Sequence, residues 1–313
     1  MLKEECMDTR NIGSLAVSVV GLGCNNFGRR LDAARTAEVI EAALAAGVTF
    51  FDTADVYGQG LSEVYLGQAL GPRRKDVVIA TKFGHPMEGA GRGASPAYIR
   101  SAAEASLRRL GTDYIDLYQL HVPDPETPIA ETLGALDDLV RAGKVREIGC
   151  SNFSAAQLRD AEAAAAGRAR FVSVQNEYSL LHREPEVNGV LDVCAELGLA
   201  FLPYFPLASG LLTGKYRRGQ PMPEGTRLSG RTDVLSEQNL AQIEALMAFA
   251  GARGHTLLDL AIGWLLARPV VASVIAGATR PEQVRANAAA ARWIPSADDL
   301  AALDALLGAP RGG

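Results

Sequence analysis

Short apolar runs rich in β-branched residues recur along this chain, separated by longer amphipathic or alanine-rich segments. The runs are VSVVGLG (17–23), VTFFDT (48–53), DVVIATK (76–82), YIDLYQLH (114–121), VREIGCS (145–151), FVSVQN (171–176), LAFLPYF (199–205) and VASVIAG (271–277). A strand covered on both faces is apolar almost throughout, as in a parallel sheet overlaid by helices. The separating segments have helical spacing: Ile129, Leu133, Leu136 and Val140 share one face, as do Ile99, Ala103, Leu107 and Leu110. Ser95-Pro96, Thr127-Pro128 and Arg280-Pro281 each place proline where a first helical turn begins. Gly47, Gly111, Gly143 and Gly198 follow helix ends, the usual place for a left-handed cap.

Eight strands, each followed by a helix, predict an α/β chain closed into a single (β/α)8 TIM barrel, with an open doubly wound sheet as the alternative. One such domain is expected to span residues 1–313, with its active site at the C-terminal ends of the strands. Two connections, HPMEGAGRGAS (85–95) and the segment from 206 to about 235, are longer than a barrel needs and follow strand C-terminal ends. Both are expected to overhang the active face, and residues 309–313 to fray.

Composition excludes several partners. Thirty-one Lys and Arg against 36 Asp and Glu give a net charge of −5, which argues against a nucleic-acid surface or a polybasic membrane anchor. MLKEECMDTR lacks the apolar core of a signal peptide, and stretches such as LLDLAIGWLLA are too short to span a bilayer, so a soluble cytoplasmic protein is expected. The four cysteines lie far apart without a CxxC pair, and the four histidines show no HExxH spacing. Neither a disulfide framework nor a metal is therefore expected. GLGCNNFG (21–28) is a near-match to a dinucleotide fingerprint, but its third glycine would fall on Asn26. The sequence leaves the oligomeric state open.

In a barrel, side chains at strand C-terminal ends converge on one mouth. Asp52, Lys82 and His121 end adjacent strands, and Tyr57 follows Asp52 in the loop. Singly, each has an ordinary reading: Asp52 or Asp55 as a helix cap, Lys82 as a solvated lysine, Tyr57 as a loop aromatic, His121 as a packing histidine. Together they make a proton-donating set. A lysine ammonium favours the phenolate and is expected to lower the tyrosine pKa from its reference of about 10. At an effective dielectric of about 20, opposite charges about 4 Å apart attract by roughly 4 kcal/mol, equivalent to about two or three pKa units. The carboxylate keeps the lysine charged, and the imidazole directs a substrate oxygen. That is general acid catalysis on a carbonyl with Tyr57 as donor.

The stretches FFDTADVYGQGLSEVYLGQAL, ATKFG, DLYQLHVPD, IGCSNFS, VQNEYSLL, LASGLLTGKY and GATRPEQVRAN follow one another in the chain. In that order they resemble the aldo-keto reductase superfamily, in its bacterial NADPH-dependent branch. The resemblance implies a tetrad of Asp52, Tyr57, Lys82 and His121, with NADPH supplying hydride for the reversible reduction of an aldehyde or ketone to an alcohol. Ser151, Asn152 and Gln175 become the expected ligands of the nicotinamide carboxamide, and Tyr204 is expected to lie flat against the ring. Gly23, Cys24 and Asn25 belong to the same cofactor set. Leu207, Ser209, Gly210, Leu212, Thr213, Gly214 and Lys215 can serve the diphosphate with backbone N–H groups and small residues.

Gly277, Thr279 and Arg280 lead into a helix start, a natural anion site, where Arg280 suits a ribose 2′-phosphate and Gln283 and Asn287 reach the adenine. Phe205, Ala276, Cys24 and Cys150 depart from the family pattern, which commonly has serine, proline, a threonine-like residue and valine there. Val56, Phe83 and Phe153 are expected in the pocket wall, with an apolar moiety beside the carbonyl. Two alternatives share these residues: an NADPH-binding regulatory subunit with slow turnover, like the potassium-channel β subunits of the superfamily, and an NAD(P)-dependent sugar dehydrogenase. A two-carboxylate glycosidase fits poorly, because Asp52 and Asp55 share one loop. The partner is a small carbonyl compound that the sequence does not name.

Overall fold

The computed structural model describes residues 7–89, 91–218 and 236–308. A hairpin of β1 (Thr9–Ile12) and β2 (Leu15–Ser18) precedes the barrel strands β3 (Val20–Gly23), β4 (Phe50–Asp52), β5 (Val78–Phe83), β6 (Ile115–Leu120), β7 (Val145–Ser151), β8 (Phe171–Glu177), β9 (Ala200–Tyr204) and β10 (Val274–Gly277). These eight pair in parallel in the order β10-β3-β4-β5-β6-β7-β8-β9. The two ends of that order meet through a bridge between Phe201 and Val271. There the Phe201 N–H donates to the Val270 carbonyl at 2.7 Å and the Ala272 N–H to the Phe201 carbonyl at 3.1 Å, giving a nearly closed barrel.

Helices α1 (Ala33–Ala45), α2 (Leu61–Leu70), α3 (Pro96–Leu110), α4 (Ile129–Arg141), α5 (Ala155–Ala165) and α6 (Val190–Leu197) follow the first six barrel strands. Both α7 (Glu237–Gly251) and α8 (Leu257–Leu266) come between β9 and β10, while α9 (Pro281–Ala290) and α10 (Ala297–Leu307) follow β10. Sequence chemistry sets their ends. The Ser95 hydroxyl accepts from the Tyr98 N–H to start α3, and Ser154 with Gln157 forms a capping box at α5. Gly111 (φ 63) and Gly198 (φ 64) terminate α3 and α6 in the left-handed region. Pro128 differs slightly from expectation: it is the residue before α4, which begins at Ile129.

The barrel strands face two cores. On β5, Val78 and Ala80 point into the barrel, while Ile79 and Phe83 face the helix layer. This period of two decides which residues of each strand can reach the mouth. The inner core includes Phe50, Leu117, Ala200 and Leu202, joined by Ile12, Leu15 and Val17 of the hairpin. The hairpin thus supplies apolar side chains to the inside of the barrel.

It also corrects the first expected strand. The run 17–23 is not continuous: Leu15–Ser18 pairs with β1, and only Val20–Gly23 enters the barrel. Ser18 marks the break. Its hydroxyl donates to the Val20 carbonyl at 2.7 Å and accepts from the Thr49 N–H at 3.0 Å. Both halves are buried, so hydrophobicity alone carried no sign of the break. Arg10 ties the hairpin to the barrel through carbonyls of Val271 (2.5 Å), Leu266 (2.7 Å) and Arg268 (3.3 Å).

Of the connection expected to overhang the mouth, residues 219–235 lie outside the described residues, as do residue 90 of the 85–95 loop and the 309–313 tail. Among the described residues, no helix is long and apolar enough to cross a membrane.

Ile12 is fully buried among barrel side chains. Ile12→Ala is expected to lower the urea unfolding free energy by about 2–5 kcal/mol with an unchanged m-value. A loss below about 1 kcal/mol would mean that the hairpin lies against the barrel without being part of its core.

Candidate active site

The loop leaving β4 keeps hydrogen-bonding along β5: Thr53 N–H donates to the Ala80 carbonyl at 2.8 Å and Asp55 N–H to the Lys82 carbonyl at 3.1 Å. This brings Tyr57 over the end of β5. The inward phase of that strand, Val78, Ala80, Lys82, puts the lysine in the barrel mouth below it, with its Nζ 5.3 Å from the Tyr57 ring centroid. His121, just past β6, lies edge-on to Tyr57 with ring centroids 5.8 Å apart. The structure therefore brings Asp52, Tyr57, Lys82 and His121 together.

Lys82 is fully buried and Asp52 3% exposed. Lys82 Nζ donates to Asp52 Oδ2 at 2.6 Å and to the Thr53 carbonyl at 2.9 Å. The second carboxylate oxygen, Oδ1, accepts from Gln175 Nε2 at 2.9 Å and Gln119 Nε2 at 3.3 Å. Three donors thus meet one buried carboxylate, and its proximity favours the ammonium form of Lys82. Burial pulls the Lys82 pKa down, but the Asp52 carboxylate and then the negative charge of an ionised Tyr57 more than offset it, and the balance lies above the ordinary lysine value.

The expected depression of the Tyr57 pKa is not found. Burial pushes the phenol above its ordinary value, Lys82 pulls it down, and Asp52 adds a further upward push. The lysine opposes burial without overcoming it, so Tyr57 is a protonated phenol at neutral pH. His121 is driven down to about 2, first by burial, then by Lys82 and His85, and is a neutral imidazole. Its Nδ1 is buried without a hydrogen-bond partner. Asp55, read as a possible cap, caps nothing, because α2 begins at Leu61 behind Gly60.

Ser151, Asn152, Gln175 and Tyr204 also converge, but largely on one another. Asn152 has a left-handed backbone (φ 63). Its amide nitrogen donates to the His121 carbonyl at 3.0 Å and to Ser151 Oγ at 3.1 Å, while its oxygen accepts from the Tyr204 hydroxyl at 2.9 Å. Ser151 Oγ donates to the Gln175 carbonyl at 2.7 Å. Gln175 commits its Nε2 to Asp52, and among the described residues no hydrogen bond is made to its Oε1.

The strand ends on the other side have the character of a ligand cradle. Gly23 and Gly277 are register partners at the ends of β3 and β10, so no side chain separates these strand ends. A Cβ added to Gly277 would stand 3.6 Å from Asn25 Oδ1, itself a buried oxygen without a partner. Cys24 is an inert thiol, raised first by burial. From Phe205 to Gly214 the chain takes positive φ at Phe205, Ala208, Ser209, Gly210 and Gly214, a coil that includes the expected diphosphate residues Leu207, Leu212 and Thr213.

Lys215 is pushed below its ordinary pKa by burial and then by Arg280 and Arg30, so three cations meet there. Arg280 precedes the first turn of α9, and its side chain makes no hydrogen bond among the described residues. Gln283 Oε1 accepts from the Thr279 N–H at 2.8 Å, and Asn287 is buried one turn further on. An unpartnered amide oxygen, a glycine-lined gap and three converging cations fit a dinucleotide with phosphates.

Two expected wall residues face elsewhere. Phe83 is fully buried in the helix layer, 4.7 Å from Tyr118 between ring centroids, because Lys82 takes the inward position beside it. Phe153 packs edge-on against Phe171 at 5.7 Å in the same layer. Val56 stays half-buried beside Tyr57. The aromatic at the mouth is instead His85, 4.3 Å from His121 between ring centroids. Gln119, Arg30 and His85 were not singled out from sequence. Gln119 had a signal, since it lies two residues before His121 and in register with Lys82; Arg30, on a loop, had none.

The profile of the aldo/keto reductase family matches residues 19–307. The chain is 39% identical over 287 residues to the oxidoreductase YrpG of Bacillus subtilis (strain 168), covering 87% of this chain and 86% of the relative. It is 36% identical over 308 residues to a probable voltage-gated potassium channel subunit beta of Arabidopsis thaliana, covering 92% of both. It is 33% identical over 307 residues to L-glyceraldehyde 3-phosphate reductase of Escherichia coli (strain K12), covering 93% of this chain and 89% of the relative.

Removing one partner of a buried ion pair leaves the other charge without compensation. Lys82→Met is expected to cost about 3–5 kcal/mol in urea unfolding at neutral pH, and a further Asp52→Asn change to recover part of that loss. Equal stability of the single and double variants would show that the stranded carboxylate is not the cause.

Proposed function

The chain belongs to the aldo/keto reductase family, and from that premise we propose that it reduces an aldehyde or ketone reversibly to the alcohol, with NADPH as cofactor and Tyr57 as proton donor. The observation that carries the reading is the Lys82–Asp52 pair at 2.6 Å beneath Tyr57, with a neutral His121 beside it. When bound, the cofactor would supply the hydride for the carbonyl carbon. The Tyr57 hydroxyl gives its proton to the carbonyl oxygen, while the His121 imidazole, as a neutral donor, fixes that oxygen's direction. Proton transfer leaves a phenolate, and the Lys82 ammonium stabilises that charge at the moment it forms. At an effective dielectric of about 20 this is worth roughly 4 kcal/mol at about 4 Å. An interaction that strengthens as the phenolate develops accelerates the step instead of only tightening binding.

Arg280, with Lys215 and Arg30 nearby, supports the choice of NADPH over NADH, since the two differ by a phosphate on the adenosine ribose. Gly23, Asn25 and Gly277 would line the cofactor on one side and Gln175 would meet the carboxamide on the other. The name of the Escherichia coli relative, L-glyceraldehyde 3-phosphate reductase, makes small phosphorylated aldehydes the first class to assay.

A second reading rests on the 36% identity to the Arabidopsis thaliana channel subunit: this chain would be a regulatory subunit that binds NADPH and turns over slowly. Steady oxidation of NADPH with a panel of aldehydes and ketones separates them. Tight NADPH binding without steady turnover on any of them would favour the second reading.

Tyr57→Phe is expected to lower kcat by about a hundredfold or more while leaving NADPH affinity unchanged, because the hydroxyl acts on the substrate. A variant that keeps more than a few per cent of kcat would remove Tyr57 from the donor role.

Arg280→Met is expected to weaken NADPH about tenfold to a hundredfold, the loss of a charge-assisted hydrogen bond of about 1.5–3 kcal/mol, with NADH binding and saturated kcat unaltered. Fluorescence titration with both cofactors checks this. Equal losses for both would place Arg280 at the diphosphate or in the fold.

A further inference from the structure

Two residues before Tyr57 lies a carboxyl group that the proposed reaction does not use. Asp55 is 1% exposed, and neither of its oxygens has a hydrogen-bond partner of normal geometry. Its main-chain N–H donates to the Lys82 carbonyl at 3.1 Å, and the Tyr57 N–H donates to the Ala54 carbonyl at 3.2 Å. Asp55 is therefore the inner corner of the turn that presents Tyr57.

The groups around its side chain come from four elements: Glu63 of α2, Tyr98 and Arg109 of α3, Lys82 of β5 and Tyr118 of β6. The hydroxyls of Tyr98 and Tyr118 are themselves buried and unpartnered. Both cations are committed elsewhere: Arg109 Nε donates to Glu63 Oε2 at 2.6 Å, and Lys82 Nζ to Asp52 at 2.6 Å. The other Glu63 oxygen accepts from Thr81 Oγ1 at 2.5 Å. An ionised Asp55 would be a second carboxylate beside Glu63, with no uncommitted cation among the described residues around it. To find a counter-charge it must move the turn or draw Lys82 from Asp52. Either change displaces Tyr57 relative to its lysine. Burial without a normal hydrogen bond beside Glu63 therefore favours the neutral acid in this position.

We propose that Asp55 is a positioning residue for the reduction: as a neutral acid it pegs the Ala54–Tyr57 turn between α2, α3 and β5, and its ionisation loosens that turn and lowers turnover. The role rests on Tyr57 being the proton donor. Burial and then the Glu63 carboxylate push the Asp55 acid up to about 7, against the Val56 amide, Arg109 and Lys82. Tyr57 is raised above its ordinary phenol value, so a loss of activity in the neutral range is not its own ionisation.

The folded state holds the Asp55 proton more tightly than the unfolded chain does. Its contribution to stability is therefore complete below the unfolded value of about 3.9. It is lost as pH rises through the folded value of about 7.

Two measurements on the full chain over about pH 5 to 9 test the proposal. The first is kcat for a turned-over aldehyde at saturating NADPH. Wild type is expected to fall about tenfold through an inflection near pH 7, whereas Asp55→Asn keeps acid-limb kcat within about threefold and shows no inflection there. Asp55→Leu is expected to lose about tenfold in kcat at every pH, with NADPH affinity by fluorescence unchanged. The second is urea stability against pH, where wild type loses stability towards pH 7 relative to Asp55→Asn. Persistence of the inflection in Asp55→Asn, wild-type kcat in Asp55→Leu, or parallel stability profiles would each overturn the proposal. The stability measurement needs no turnover, so it decides on Asp55 even where no carbonyl is reduced, and keeps failure here distinct from failure of the reductase reading.

Discussion

A lysine ammonium and an aspartate carboxylate held inside a barrel mouth are costly to desolvate, and the surrounding strands are arranged to meet that cost. Asp52 ends β4, Lys82 lies on β5, Gln119 on β6 and Gln175 on β8, and all three donors end on the one carboxylate. The second bond of Lys82 goes to the Thr53 carbonyl, in the loop that carries Tyr57. Four strand ends and a loop thus share one electrostatic centre. Breaking it strands a charge that the interior cannot solvate, which couples the positions of the reacting groups to the stability of the barrel. Well-packed apolar replacements for a buried pair are often no less stable, yet here they would leave Tyr57 without the charge that favours its phenolate.

That charge acts in a specific way. Burial alone makes Tyr57 a weaker acid, and the lysine reduces the penalty without cancelling it. The phenol is therefore protonated at neutral pH, and in the proposed reaction the ammonium would contribute most as the proton leaves. The neutral state of His121 follows from the same field, since an imidazolium beside Lys82 would carry a second buried positive charge.

Much of this was legible in the sequence, for reasons that differ between elements. The barrel strands are buried on both faces, and their apolar runs stand out against helices with clear caps at Ser95 and Ser154. The tetrad was visible because polar residues interrupt those runs at strand ends. Where the reading went astray, the cause was phase or the absence of a break. Phe83 follows Lys82, and consecutive residues of a strand face opposite sides, so the inward lysine already sent Phe83 to the helix layer. The hairpin was hidden because Leu15, Val17 and Val20 are buried on either side of Ser18. The net pKa of Tyr57 depends on how deeply it is buried, which spacing does not reveal. Arg30 meets Lys215 only through the fold, from a distant part of the chain.

The seam of the barrel has a mechanical consequence. Between β9 and β10 the described residues contribute one bridge, at Phe201 and Val271, while other neighbouring strands share longer ladders. The loops that leave the C-terminal ends of these two strands carry Lys215 and Arg280, one on each side of the joint. A dinucleotide held by both would act as a clasp across the least stitched part of the cylinder. Its occupancy would damp the breathing of that joint and slow solvent exchange at the Phe201 and Ala272 amides, because a ligand that binds only the closed form shifts the equilibrium towards closure. With such a clasp, loading and release of the dinucleotide would be coupled to the flexing of the seam.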